Sequence, residues 1–344
     1  MKSTSKIENK VTTEKIKEIQ SRRIHCNAVS RMNTRRGARM GTTRLRASET
    51  LPSTTARQCR GGVFLPFSKF RNEEPDKTII VTENQWGKVT LKRCRLTQTH
   101  QNILEAILAN ADEIREAPDG RIGVRYSPGK VLKYLGVKTN NYSWLYDQLD
   151  DMLTTIIEIE TTEWRAKGSM LYIAHDSKAG MGRMIPGKDG RRTEARFQTV
   201  IFHQFFKRLR LVDAAVHYQT LLPEILKLKH AVTQALVRFC LSHDQVNMGL
   251  ADILTALGAI REETPLRTRQ HISKQVRDEE GALDRDFGIS IRKMEDGRKG
   301  VFYKKHPKVW FEPPKALPEM VLPKFEAEEP CSARERNDMG PRQD

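Results

Sequence analysis

Cysteine is scarce in this chain, and no cysteine pair has metal-binding spacing. The five cysteines are odd in number and widely separated, at Cys26, Cys59, Cys94, Cys240 and Cys331. This pattern argues against a disulfide framework or a zinc site and fits a reducing cytoplasm. The chain also has no stretch approaching the roughly 18 apolar residues that a membrane span needs, so we expect no membrane partner.

Signals of catalysis are equally scarce. The nine histidines never form an H-x-H or H-E-x-x-H motif, which disfavours metal catalysis. Residues 182–189 nearly spell a nucleotide-binding P-loop, but Asp189 stands where a Ser or Thr hydroxyl should hold Mg²⁺. We therefore expect a protein that is not an enzyme and uses no metal or cofactor.

Positive charge, in contrast, is abundant and unevenly distributed. The formal net charge is +17, and residues 1–60 contain 15 Lys and Arg, four Glu and no aromatic residue. Such a segment cannot bury enough apolar surface to offset chain entropy, so residues 1–77 are predicted to be a disordered basic arm that attracts phosphates. The alternatives are a solvated tail, or residues that precede a later start at Met32 or Met40.

The middle of the chain has the apolar spacing of two folded modules. Residues 78–222 and residues 223–312 each show three helical patterns followed by strand-like runs, the order of a winged helix. Residues 312–344 hold six prolines and a net charge of −3, which predicts an unfolded tail over 313–344. The predicted fold class is α+β, with two tandem winged-helix domains between a disordered basic N-terminal arm and a Pro-rich C-terminal tail.

The third helix of the second module is the most informative segment. Thr264 followed by Pro265 predicts a helix N-cap and first position. At about 100° per residue, Ile272, Val276 and Leu283 fall on one apolar stripe. Opposite that stripe lie the polar residues Arg267, Gln270, Lys274 and Arg277. Such a helix can enter the DNA major groove, where Arg pairs with guanine and Gln with adenine; a merely solvated surface is the other interpretation.

A basic hairpin is predicted to follow this helix. Its strands, 289–294 and 301–305, flank the strong turn dipeptide Asp296-Gly297. Four cations cluster at its tip, where a wing would contact the phosphate backbone: Arg292, Lys293, Arg298 and Lys299. In the first module, by contrast, the third helix carries Asp147, Asp150 and Asp151, which would repel phosphate. We expect that module to make backbone or protein contacts, unless its helix is only a solvated face.

The tandem modules, the basic arm and the phrase Leu96–Leu108 (LTQTHQNILEAIL) together resemble the theta-type plasmid replication initiators, or Rep proteins. The resemblance covers roughly residues 78–312. It implies binding of double-stranded DNA at repeated origin sites (iterons), opening of an adjacent A+T-rich stretch, and recruitment of the host initiator and replicative helicase. It also implies that the first module supplies a homodimer interface.

The same resemblance assigns base reading to the second module. Carried over residue by residue, the contacts fall on Arg267, Arg269, Gln270, Ser273, Lys274 and Arg277. Some family members also carry a Gln-Leu-x-Leu-Phe sliding-clamp motif, from which the nearest candidate, residues 63–67, departs. A winged-helix transcriptional repressor is the alternative function, and a single inverted repeat near the gene would favour it over direct repeats.

Overall fold

The computed structural model describes two apolar cores joined by a buried interface. It covers residues 43–45, 54–61, 63–67, 78–84, 87–93, 95–117, 121–138, 141–161, 165–174, 184–186, 192–194, 198–202 and 214–312. Helices alternate with small sheets whose named strands all pair antiparallel, so the predicted α+β class is confirmed. No helix among these residues is both long and apolar enough to span a bilayer.

The N-terminal segment contains β1 (Thr43–Leu45), β2 (Thr54–Thr55) and α1 (Ala56–Gly61). Residues 54–67, which we call the strap, contact both cores. Ala56 and Cys59 are buried in the second core, whereas Val63 and Phe64 are buried in the first. The predicted disordered arm over residues 1–77 is therefore wrong for the strap, because its few apolar side chains find partners far along the chain.

The strap also contains the nearest match to a sliding-clamp motif. Leu65 is only 3% exposed, and its backbone N–H donates to the carbonyl of Leu96 at 2.8 Å. A clamp-binding peptide must be accessible, so residues 63–67 do not serve as one in this conformation. Most of the remaining predicted arm and the predicted tail over 313–344 lie outside the described residues.

The described part of the first module contains three helices and ten strands, in this order: β3 (Ile79–Asn84), β4 (Gly87–Lys92), α2 (Gln98–Ala109), β5 (Ala111–Glu116), β6 (Ile122–Tyr126), α3 (Pro128–Tyr134), α4 (Tyr142–Thr154), β7 (Ile156–Thr161), β8 (Arg165–Ser169), β9 (Leu171–Ala174), β10 (Met184–Pro186), β11 (Arg192–Glu194) and β12 (Gln198–Phe202). One sheet has the order β1-β5-β6-β12-β9, and another β3-β4-β7-β8.

Strand pairing in the first module differs from the sequence prediction. The two strand-like runs after the third helix of this module, residues 155–160 and 169–174, predict a hairpin; they are observed as β7 and β9, which belong to different sheets. The hairpin partner of β7 is β8, a strand within the charged connection between the two predicted runs. Strand β9 pairs with β12 instead. The pattern over residues 123–126 predicts a polar turn, but the structure has strand β6 there, because Ile122, Val124 and Tyr126 alternate inward.

The second module contains β13 (Ala215–His217), a 3₁₀ turn (Gln219–Leu221), α5 (Leu222–Lys227), α6 (Ala231–Leu241), β14 (Gln245–Gly249), α7 (Leu250–Ala256), α8 (Leu266–Arg277), α9 (Glu280–Phe287), β15 (Ile289–Lys293), β16 (Lys299–Lys304) and β17 (Trp310–Glu312). Strands β14, β16 and β15 form a three-stranded sheet in that order. The second core already includes Val216, Tyr218 and Leu221, so the predicted boundary after residue 222 lies too late.

Candidate nucleic-acid interface

Helix α8 is anchored to the second core by its apolar side. Ile272 and Val276 are 5% and 0% exposed, and the helix packs against α6. The predicted third helix is in fact two helices, since α8 ends at Arg277 and α9 begins at Glu280. Leu283 consequently belongs to α9, although it is buried in the same core.

The opposite side of α8 is exposed and polar. Arg267, Gln270, Lys274 and Arg277 are all exposed, and we call them the basic face. The side chains of Arg267, Gln270 and Lys274 make no hydrogen bond or ion pair with the described part of the chain. Their charged and amide groups are therefore available to a ligand without breaking an internal contact. Ser273, another predicted contact, is half-buried, and its carbonyl accepts a hydrogen bond from Arg277 Nε at 3.3 Å.

The start of α8 differs from the predicted cap. Pro265, whose φ and ψ are −57° and 144°, is the N-cap, and Leu266 is the first helical residue. Thr264 closes the preceding turn instead, because its Oγ1 accepts a hydrogen bond from the backbone N–H of Arg261 at 2.8 Å. The cap prediction at Thr264 was therefore wrong by one residue.

Arg269 differs from the other predicted contact residues. Its side chain is half-buried, Nε donates to the carbonyl of Thr264 at 2.8 Å, and Nη2 donates to that of Arg261 at 2.9 Å and also to that of Glu262. The guanidinium thus fastens the turn over 261–264 to the first turns of α8. This geometry makes Arg269 a support for the basic face rather than an obvious member of it.

The hairpin of β15 and β16 places two like charges directly opposite each other. Lys293 pairs with Lys299 in the register, and both side chains are exposed. Opposite residues in an antiparallel pair have Cβ atoms about 5 Å apart, and like charges there are destabilising. Arg292, one residue earlier, is exposed as well and pairs with Gly300. A polyanion beside this end of the hairpin would relieve the repulsion.

Arg298 in the hairpin turn already has carboxylate partners. Its Nε donates to Asp296 Oδ2 at 2.6 Å, and its Nη1 lies 3.5 Å from Asp252 Oδ2 in the first turn of α7. Hydrogen bonds from the Arg298 backbone and side chain lower the pKa of the Asp296 carboxyl. Gly297, at φ +81°, supplies the left-handed backbone that the turn requires. Arg298 therefore ties the turn to α7 and offers less unpaired charge than Lys293 or Lys299.

The first module presents a different surface. On α4, Asp147 and Asp150 are exposed, and Asp151 lies 3.6 Å from the buried His100 of α2. An exposed acidic helix face repels phosphate. Within the described residues, no group of three or more His, Cys, Asp or Glu side chains could hold a metal ion.

Known proteins resemble this chain only weakly, and only in structure. Neither the protein-family models nor the curated protein sequences matched this chain. A crystal structure of domains 2 and 3 of RctB, from selenomethionine derivatives, resembles it with a TM-score of 0.46 at 13% identity, over 76% of this chain and 99% of that one. A second structure of RctB domains 2–3 gave 0.42 at 14% identity, over 72% and 96%. These scores are too low to support conclusions, so the function is inferred from the side chains of this chain.

Proposed function

We propose that this protein is a sequence-specific binder of double-stranded DNA that initiates plasmid replication in the bacterial cytoplasm, and that it is not an enzyme. Its second module would act as a winged helix that reads repeated origin sites. Binding would promote opening of adjacent A+T-rich DNA and recruit the host initiator and replicative helicase. The observation that supports this proposal most directly is the basic face of α8, exposed and backed by a buried apolar stripe.

The chemistry of the basic face suits the major groove. An α-helix fits that groove, Arg can form a bidentate contact with guanine, and Gln can do the same with adenine. Arg267, Gln270 and Lys274 succeed one another at spacings of three and four residues, so their side chains share one side of α8. Because these groups have no internal partner in the described chain, binding would not have to break existing contacts.

The hairpin would hold the phosphate backbone beside the groove. Lys293 and Lys299 project from its end, and contacts to phosphate fix position without carrying sequence information. Each neutralised phosphate releases a condensed counterion, so affinity should fall steeply with salt. This division of labour gives two separable signatures, one in sequence preference and the other in salt dependence.

The test is footprinting of the full chain on the DNA that flanks its own gene, followed by affinity measurements on the protected site and on random duplex. Arg267→Ala should cost roughly 1–3 kcal/mol on the protected site and relax preference at one position. Lys227→Ala, which removes one exposed positive charge from α5, is the control and should preserve the preference. Loss of the same size on specific and random duplex for Arg267→Ala would contradict base reading by α8.

The initiator role is tested separately from DNA binding. If the protein opens an origin, permanganate should detect unpaired thymines in A+T-rich DNA next to protected direct repeats when the protein is added. Protection of a single inverted repeat with no opening would overturn the initiator role and leave a repressor. Protection of no sequence at all would overturn the proposal as a whole.

A further inference from the structure

Leu266 is an exposed aliphatic residue at the start of the basic face. Its side chain is 70% exposed, the highest value among the exposed large apolar residues of the described chain. The others lie on strands: Ile80, Tyr172, Met248 and Trp310. Leu266 is thus the member of this group that a helix presents to solvent.

The position of Leu266 around α8 is not that of a core residue. At about 100° per residue, Leu266 lies within about 40° of Gln270 and Arg277. It is about 120° around the helix from the buried Ile272 and about 80° from the buried Val276. A leucine left in water forgoes the free energy that burying its side chain would release. Single exposed leucines are common on proteins, so exposure alone decides little. Here the leucine lies at the edge of the basic face, beside Arg277, and so borders the surface that would face DNA.

The first turn of α8 is held rigidly. Arg269 bonds to carbonyl groups of the preceding turn, and the Thr264 hydroxyl accepts the N–H of Arg261 within that turn. A recognition helix reaches base edges mainly with its N-terminal residues. Leu266 is the first residue of the helix, and its support keeps it in place before DNA arrives.

We propose that Leu266 is a specificity-determining residue that packs against the 5-methyl group of a thymine in the major groove. The inference rests on the proposed function, since it needs α8 in that groove. The thymine methyl is the apolar feature of the major-groove edges, and aliphatic or methyl-bearing side chains contact it. Gln270 lies one turn along the same side and suits adenine, so the pair would favour an A·T-containing site.

The experiment removes the methyl group from the DNA and the side chain from the protein. A duplex selected by the full chain from a random library is resynthesised with 2′-deoxyuridine at each thymine in turn. We expect one substitution to weaken binding by the wild-type protein about fourfold, the value for one buried methyl group. Leu266→Ala should bind the thymine duplex at least that much more weakly and should be insensitive to that one substitution. Ile80→Ala, which truncates an exposed aliphatic side chain on β3, should keep the wild-type sensitivity.

The outcomes separate this inference from the function on which it depends. Selection of no sequence from the library would sink both. Suppose that a sequence is selected and that Leu266→Ala loses as much affinity as the wild type at every uridine substitution. That result would overturn the thymine contact and leave base reading by α8 intact. If Leu266→Ala binds DNA like the wild type but has a different oligomeric state by light scattering, Leu266 belongs to a protein interface. That result would also overturn the thymine contact. Because the side chain is mostly exposed, the variant should fold like the wild type.

Discussion

Arg238 of α6 and Glu105 of α2 form an ion pair across the interface between the two modules, with Nη2 and Oε2 2.6 Å apart and side chains 1% and 2% exposed. Arg238 also donates to Gln98 Oε1 at 2.8 Å and to Asn102 Oδ1 at 2.7 Å. The Tyr218 hydroxyl donates to Glu105 Oε1 at 2.6 Å. Burial is the largest single effect and would lower the pKa of Arg238, but the charge and hydrogen bonding of Glu105 together with the contribution of Tyr218 outweigh burial and raise that pKa. The interface therefore fixes one orientation of the modules through directional bonds.

The first prediction concerns this pair. Arg238→Met should lower the free energy of unfolding by about 3–5 kcal/mol, because it leaves the buried Glu105 carboxylate without its counter-charge. Urea denaturation followed by circular dichroism measures the loss. The double variant Arg238→Met/Glu105→Leu should recover much of it, since neither charge then remains buried.

The control for this measurement is the exposed pair of Lys227 and Glu224, whose side chains are 70% and 36% exposed. Lys227→Ala should cost less than about 1 kcal/mol, because water screens an exposed pair. If Arg238→Met costs no more than Lys227→Ala, the buried pair does not stabilise the interface.

The second prediction contrasts two neighbouring arginines of α8. Arg269→Ala should lower the free energy of unfolding by about 1–3 kcal/mol, because it removes hydrogen bonds from a charged donor to the turn over 261–264. Arg267→Ala should leave stability within about 0.5 kcal/mol of the wild type, because its side chain is exposed and makes no hydrogen bond or ion pair with the described chain. Thermal unfolding of the two variants in parallel tests this, and equal losses would show that Arg269 is not a support.

Periodicity predicted the helices that present the candidate site, but not the contacts that hold them. The apolar stripe of α8 and the turn at Asp296-Gly297 are local signals, visible within a dozen residues. The bonds of Arg269 also lie close in sequence, yet side-chain hydrogen bonds to a turn leave no periodic trace. Leu266 is a single apolar residue at the start of α8 and lies outside the periodic apolar stripe, so the sequence pattern does not single it out.

Contacts between residues far apart in the chain could not be predicted from local sequence patterns. Arg238 and Glu105 are separated by 133 residues, and helical spacing within α6 or α2 cannot join them. One signal was present, since Arg238 interrupts an otherwise apolar run over 235–241 and a charge in such a position needs a partner. The strap overlaps the basic, aromatic-free stretch over residues 1–60, and that composition conceals the residues of the strap that pack on both cores.

The third prediction concerns the hairpin lysines. Lys293→Ala or Lys299→Ala should weaken binding to every duplex and reduce the slope of log affinity against log salt by about 1, because one phosphate contact is lost. Neither variant should be less stable than the wild type, since each removes a like-charge cross-strand pair. Fluorescence anisotropy over a salt series gives the slope.

Lys304 is the matched control, because it is exposed at the other end of β16, opposite Gln245. Lys304→Ala should leave the salt slope unchanged. A reduction as large as that caused by Lys299→Ala would show that general positive charge, and not the end of the hairpin, contacts the phosphates.

The fourth prediction is a pH dependence of stability that arises at His243, at the end of α6. Burial, opposed by the hydrogen bond to the Phe239 carbonyl, lowers the pKa of His243, and the nearby Arg60 lowers it further. As the pH falls through about 6.5, the unfolded chain therefore binds a proton before the folded chain does, and the free energy of unfolding decreases. Above that range both states carry neutral His243, and its contribution no longer changes with pH.

Urea denaturation at pH 8.5, 7.5 and 5.5 measures the effect. The free energy of unfolding of the wild type should decrease between pH 7.5 and 5.5. Between pH 8.5 and 7.5, where His243 is neutral in both states, its part of that free energy should not change. In His243→Gln, which removes the titratable ring beside Phe239, the loss between 7.5 and 5.5 should be smaller. An undiminished loss in the variant would mean that other groups account for the acid sensitivity, because a side chain that cannot bind a proton cannot link folding to pH.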